Sequence, residues 1–336
     1  MKHKSYLFYT FLGIMVLLLG SCKDEKDRPA FPLSAEIFRS IDGYQVAFTA
    51  LTHSAVSWSW DFGDGNTSTE QNPVHVYESG GYYLATLTAT SNTGQTVTRE
   101  TKLAVSLDPF SLLTGDQTAE GYNGKTWKLR QAHSVNDKLV NSDATFTLMD
   151  PDIESLPSGA FDLYLGLGEA YNDQFTFHNN GTYMHNTTDG SSFGGIVYAM
   201  LLQQLGVAQI TKTGGRAVFG QDAFALTTYS PEPSGGFILT EQEDFTIPTI
   251  PNYATSVVPP GIPVVTYNDV MTLEFTDPNA FIGVRDFHKK VIVQELTEES
   301  MRLVMFLTMS PAAIASQDPL IALATTAMIL TFEVVR

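Results

Sequence analysis

Cysteine is almost absent: Cys22 is the single one in 336 residues. With no second thiol, the chain can form neither an internal disulfide nor a thiolate metal cluster. Basic residues are also scarce, with 19 lysines and arginines against 36 acids and a formal net charge of −17. That balance excludes nucleic acid as a partner, because phosphate recognition needs a basic footprint. It equally excludes electrostatic adhesion to anionic lipid. Helical periodicity is sparse and confined to residues 196–205 and 312–315. The His-Glu-x-x-His zinc pattern does not occur. Apolar residues are not in short supply: 43% of the chain is hydrophobic, ample for packed cores.

The N-terminus reads as an export address. Lys2 and Lys4 precede an apolar run over residues 6–19, which ends at Leu19, Gly20, Ser21 and Cys22. A basic start, a short apolar core and small residues before a cleavage point describe a secretory signal peptide over residues 1–21. The run is too short to span a bilayer comfortably. Leu19 to Cys22 resembles the lipobox of bacterial lipoproteins, in which the cysteine is acylated and becomes the new N-terminus. The alternative is an ordinary signal peptide with a stray thiol, and an unpaired cysteine in an exported chain is itself unusual. Cleavage removes Lys2 and Lys4 and no acid, taking the net charge from −17 to −19. Residues 22–32 form an acidic tether, and its Lys23, Asp24, Glu25, Lys26 and Asp27 resemble the export signal of Bacteroidetes surface lipoproteins. That resemblance implies an outer-membrane protein, lipid-anchored and facing outward.

Residues 33–106 read as a first module. Apolar residues alternate with period two over 44–50, 56–60, 83–89 and 96–105, with Gly, Asn and Ser between the runs. Short strands at that spacing predict an antiparallel sandwich. Trp60, Asp61, Phe62, Gly63, Asp64 and Gly65, then Pro73, His75, Val76 and Tyr77, then Gly81, Tyr82 and Tyr83, then Asn92, Thr93 and Gly94 resemble a polycystic-kidney-disease (PKD) domain. The resemblance implies an Ig-like sandwich in which these residues are structural. Gly63 and Gly65 then shape a tight corner, Asp61 and Asp64 accept turn amides, and Trp60, Phe62, Tyr77 and Tyr83 fill the core.

Residues 107–120 read as a linker, and residues 121–336 as a larger antiparallel β-domain. One hairpin is expected over 173–185, where a loop at Asn179, Asn180 and Gly181 sets Phe177 opposite Tyr183. A second covers 290–306 and turns at 297–300. Further strands are expected at 125–129, 271–275, 280–284 and 327–335, with a proline-rich loop or edge segment at 246–263. Lys125, Trp127, Leu129, Tyr171, Asp173, Asn180, Gly181, Phe281, Gly283 and Leu296 sit in patterns that resemble C-terminal domains of Bacteroidetes surface lipoproteins. Those domains are lipocalin-like or jelly-roll, and strand alternation alone does not separate a barrel from a sandwich.

The candidate chemistry favours binding over catalysis. Glycoside hydrolases need two carboxylates across a cleft, about 5–10 Å apart. The nearest arrangement is Glu241 and Glu243 beside Asp244, which also reads as a solvated charge run. His178 and His185 share a hairpin without a third metal ligand. Asp150, Asp152 and Glu154 could suit calcium or be a solvated loop. Sugars are held by stacking on exposed rings, with amides and carboxylates bonding their hydroxyls. Tyr164, Tyr171, Phe193, Tyr198, Tyr229, Phe237, Tyr253 and Tyr267 stand among loop residues. Tyr171, Phe193 and Tyr198 are selected as ligand-binding positions, with Phe193 at the tip of a flexible loop over 187–195. The expected function is non-catalytic capture of a polysaccharide or oligosaccharide beside an outer-membrane importer. No cofactor and no metal are expected. The alternatives are a structural or adhesive surface protein and a divergent glycoside hydrolase.

Overall fold

The computed structural model describes residues 31–216, 222–232, 235–249, 264–308, 324 and 326–336. Expectations for residues 1–30, for Tyr253 and for the helix at 312–315 lie outside them. Contacts divide the described residues into two compact units, 31–77 with 83–103 and 78–82 with those from 104 onward.

The first unit is a two-sheet sandwich. One sheet orders β1 (Ser34–Asp42), β2 (Gln45–His53) and β5 (Val74–Val76) as β1-β2-β5. The other joins β3 (Ala55–Asp61), β4 (Thr67–Ser68), β6 (Gly81–Ser91) and β7 (Thr96–Val105) in the order β4-β3-β6-β7. Alternate residues Val46, Phe48 and Ala50 of β2 are buried, as are Trp60 of β3 and Ala85, Leu87 and Ala89 of β6. Phe48 lies 5.1 Å from Trp60 and 5.3 Å from Phe62, ring centre to ring centre. The Trp60 indole N–H donates to Glu70 O at 3.0 Å, and the Tyr77 hydroxyl to Phe62 O at 2.9 Å. Each buried ring thus satisfies its polar tip. The expected turn chemistry holds: Asp61 accepts from Gly63 N–H at 2.9 Å, and Asp64 from Asn66 N–H at 3.0 Å. Gly63 sits at φ +81°, and a Cβ there would meet Leu84 O at 2.6 Å, so only glycine fits the corner.

The second unit closes into a barrel. Its wall strands are β8 (Lys125–Leu129), β10 (Gln174–Phe177), β11 (Thr182–Asn186), β15 (Gly235–Pro248), β16 (Val264–Phe275), β17 (Val291–Leu296), β18 (Ser300–Leu307) and β19 (Thr326–Val334). Each is antiparallel to the next in chain order, and β19 returns to β8. Among the described residues this is an eight-stranded up-and-down barrel, not the Greek-key order of a jelly roll. β9 (Lys138–Asn141) extends the sheet beyond the first half of β19. Trp127, Phe175, Phe177, Tyr183, Leu273, Leu303, Leu330 and Phe332 belong to one buried cluster, so the interior is a packed core. The expected hairpins are present: Phe177 faces Tyr183 across the Gly181 turn, and Leu296 faces Met301.

Residues 107–120 are not a free linker. Helix α1 (Pro109–Thr114) buries Leu113, whose carbonyl accepts the Trp127 indole N–H at 3.0 Å. Residues 280–284 form no strand but a buried irregular segment, where Gly283 takes φ +67°. Residues 246–248 and 264–266 continue β15 and β16, past register shifts at 240–245. Those bulges bend the hairpin, whose Ile247 and Tyr267 belong to a second buried cluster with Ile292, Val304 and Phe306. The supposed flexible loop at 187–195 carries a strand, β12 (Ser191–Gly195). It pairs with β14 (Phe224–Thr228), which also pairs with β13 (Ile210–Gly214), and helix α3 (Ile196–Gln204) follows β12 directly.

Candidate functional site

The three rings selected from sequence do not form a platform. Phe193 is 1% exposed, stacked between Phe161 at 4.8 Å and Phe224 at 5.3 Å. Residues 192–195 of its strand are all buried, and the ring belongs to the core. Tyr171 is 8% exposed. Its hydroxyl oxygen accepts from Phe161 N–H at 3.0 Å and lies 2.8 Å from His133 Nε2. His133 Nδ1–H donates to Asp137 Oδ2 at 2.8 Å. Asp137 Oδ1 accepts from Ser134 and Thr331, both at 2.5 Å. Burial pushes the Tyr171 hydroxyl up to about 12. Burial also opposes ionisation of Asp137, but the hydrogen bonds from His133, Ser134 and Thr331 hold it below the usual carboxylate range. Tyr198, half-buried in α3, packs edge-on against Phe287 at 4.8 Å. Tyr229, Phe237 and Tyr267 are buried as well.

Tyr164 is the exception, at 53% exposed. It stands on the rim of a cavity of about 460 Å³. Helix α2 (Ala160–Leu163) accounts for the geometry. Phe161 points down into the cavity floor, and Tyr164, three residues on, closes the helix at the surface. Leu139, Leu165 and Met328 complete the floor. Phe161 is fixed by its N–H bond to Tyr171 and by ring contacts with His133 at 5.5 Å and Phe193 at 4.8 Å. The buried network therefore holds a preformed apolar floor. Asp152, Glu154 and Ser155 also line the cavity, and both carboxylates sit on exposed residues. An apolar hollow of this size with a few polar groups at its edge is the usual form of a small-ligand site. The sequence contained the parts, Asp152 with Glu154 and Tyr164, but no spacing joined them. Among the described residues no group of three or more His, Cys, Asp and Glu could hold a metal ion.

Of the remaining titratable groups, Glu243 and His185 are paired with their neighbours, and Asp286 is only partly satisfied. Glu243 pairs with Lys290 at 2.6 Å and accepts from the Thr272 hydroxyl. The Lys290 contact holds Glu243 below the ordinary carboxylate range, which suits an ion pair rather than a proton-transfer acid. His185 Nε2 lies 3.1 Å from Asp173 Oδ2, and burial pushes Asp173 up. Asp286 is fully buried. Its Oδ1 accepts from Phe287 N–H at 2.8 Å and Thr308 N–H at 3.2 Å, while Oδ2 has no hydrogen-bond partner among the described residues. Burial pushes this carboxyl up to about 7. Gly190, Ser191, Ser192, Phe193 and Gly194 have the Gly-x-Ser-x-Gly spacing of a nucleophile elbow, which places its serine on a strained strand-to-helix turn. Ser192 is instead inside β12, buried, with its hydroxyl 3.2 Å from that of Thr227. The spacing is coincidental.

The PKD domain family matches residues 39–105. Collagenase ColA of Bacillus cereus is 43% identical over 147 residues, covering 40% of this chain and 14% of that protein. The chain thus spans about a seventh of that relative, and what the two share is the PKD region. The PKD1 domain of Vibrio anguillarum Epp is 30% identical across 24% of this chain and 100% of the domain, with a TM-score of 0.23. A structure of carbohydrate-binding modules from the β-sandwich superfamily aligns with 92% of this chain and 94% of its own at 12% identity and a TM-score of 0.23. TM-scores this low carry no argument. The PKD assignment rests on the family match and on the residues from Trp60 to Tyr77 that build the sandwich core.

Proposed function

We propose that this chain is a non-catalytic, lipid-anchored surface protein that captures a glycan through its β-barrel unit, with the PKD domain as spacer. The observation that carries the proposal is Tyr164, an exposed ring beside a preformed cavity whose rim bears Asp152 and Glu154. A sugar's C–H face stacks on such a ring, and the carboxylates accept its hydroxyl protons. Acylation of Cys22 supplies the anchor, and an outer-membrane importer is the natural recipient of the captured glycan. A glycan array probed with the whole chain and with Tyr164→Ala tests the binding role. Signals that vanish in the variant support it, and an array blank for the wild type overturns it. Cys22→Ala tests the anchor: the variant should leave the membrane fraction, and continued sedimentation after a carbonate wash would rule the anchor out.

One observation favours an adhesive reading instead. Phe38, Leu51, Val74 and Val76 are each more than half exposed and share the outer face of the β1-β2-β5 sheet. Contiguous exposed apolar residues of this kind mark protein contacts. Should the whole chain bind no saccharide, adhesion through this face becomes the preferred function.

A further inference from the structure

A second cleft, of about 360 Å³, lies where residues 245–248 at the end of β15 meet residues 274–278 and 287–290. Two rings line it. Phe287 is half-buried and held by its edge contact with Tyr198. Phe245 carries the Lys290 ammonium 5.7 Å from its ring centre. Lys290 is matched, with Glu243 at 2.6 Å and Glu274 at 3.4 Å. Its neighbour Lys289 is not. Lys289 lines the cleft, is partly buried, and among the described residues has neither a hydrogen bond nor an ion pair. The chain carries 36 acids for 19 lysines and arginines, so carboxylate partners are plentiful. A partly desolvated ammonium left without one is a standing cost to the fold. Burial pulls the Lys289 pKa down, and the positive charge of Arg285 pulls the same way against a weaker opposing pull from Asp277. Arg285 is itself buried, stacked 4.5 Å from the Tyr229 ring, with no ion pair to a carboxylate among the described residues.

We propose that this cleft binds an acidic sugar residue, with its carboxylate or sulfate ester on Lys289 and its C–H face against Phe287. The inference rests on the glycan-binding role proposed above and narrows the ligand to an acidic polysaccharide. Glu274 and Asp277 line the same cleft and do not prevent this. Glu274 is occupied by Lys290, and Asp277 Oδ1 accepts from Asn279 N–H at 2.6 Å. Apart from these two carboxylates, the chain's net negative charge opposes a polyanion from outside the cleft. At physiological ionic strength that field fades within about 8 Å, and the local ammonium decides contact.

Calorimetry on the whole chain tests the proposal with matched sugars. Trigalacturonate is compared with its full methyl ester, and a carrageenan tetrasaccharide with its desulfated form. In at least one pair the charged sugar should bind about tenfold tighter, as expected for one charge-assisted contact. The pair that shows the gap identifies carboxylate or sulfate as the anion. Lys289→Met should close the gap and Lys289→Arg should keep it, with thermal melts confirming that each variant folds. Should Lys289→Met fail to fold, Lys289→Gln takes its place. No gap in either pair, or a gap that survives loss of the Lys289 charge, overturns the inference while neutral-glycan binding at Tyr164 stands. If no saccharide binds at all, both proposals fall.

Discussion

Trp60 and Trp127 are equivalent in burial and differ in how their surroundings are assembled. Both are fully buried, and both donate an indole N–H to a backbone carbonyl at 3.0 Å. Around Trp60, Phe62, Glu70 and Tyr77 lie within 17 residues of one another in sequence. Trp127 has one helical partner from α1, but its strand is flanked by Phe175 on β10 and by Val334 at the far end of the chain. A sandwich corner built from near neighbours leaves a compact motif in the sequence. A barrel seam closed by distant strands leaves only alternation.

Truncating each indole tests whether the two cores are equally tight. Trp60→Ala and Trp127→Ala should each cost about 3–5 kcal/mol. Chemical denaturation followed by far-ultraviolet circular dichroism reads the loss in either unit. A cost below about 1 kcal/mol at either site would show that its core is loosely packed.

The units should also answer differently to pH. In the first, burial works against ionised Asp64, but hydrogen bonds from His75 and Asn66 outweigh it and hold the carboxyl below its ordinary value. Its folded-state pKa is depressed, so its contribution is present above the unfolded value and lost as pH falls through the folded one. Asp286 in the second unit has the opposite sign. Its carboxyl is raised from 3.8 to about 7, so stability declines as pH rises from about 4 to 7 and the penalty is complete above that. The shift corresponds to at most about 4 kcal/mol. Asp286→Asn should flatten this decline and stabilise the unit at pH 8, read by melts across pH 4–8. A variant less stable than wild type at pH 8 would show that the buried carboxylate has a counter-charge.

Gly63 in the first unit and Gly181 in the second both sit at φ +81°. Gly181 has open space where a Cβ would stand, so Gly181→Ala should cost only the left-handed strain, about 1–2 kcal/mol. Gly63→Ala should cost more, because Leu84 O blocks the position at 2.6 Å. Equal costs would mean that β6 yields readily.

The sequence was most legible where structure is local. The turn at Asn179 to Gly181 predicted its register, and Asp61 and Asp64 their turn amides. Barrel closure was not legible, since the β19–β8 seam joins residues some 200 positions apart. The site was least legible of all. Phe193 and Tyr171 lie among Gly, Ser and Asn and so resemble loop rings, yet strand pairing and the His133 network draw them inside. Tyr164 stays outside because α2 ends beneath it.

Tyr164→Ala is therefore the smallest change to the fold and the sharpest test of function. An exposed ring contributes little to the core, so the melt should move by less than about 0.5 kcal/mol. Isothermal calorimetry of the whole chain against a glycan found on the array should show a loss of about 1–3 kcal/mol in the variant. Unchanged affinity alongside an unchanged melt would contradict the account, because the cavity at Tyr164 would then not be where the glycan binds.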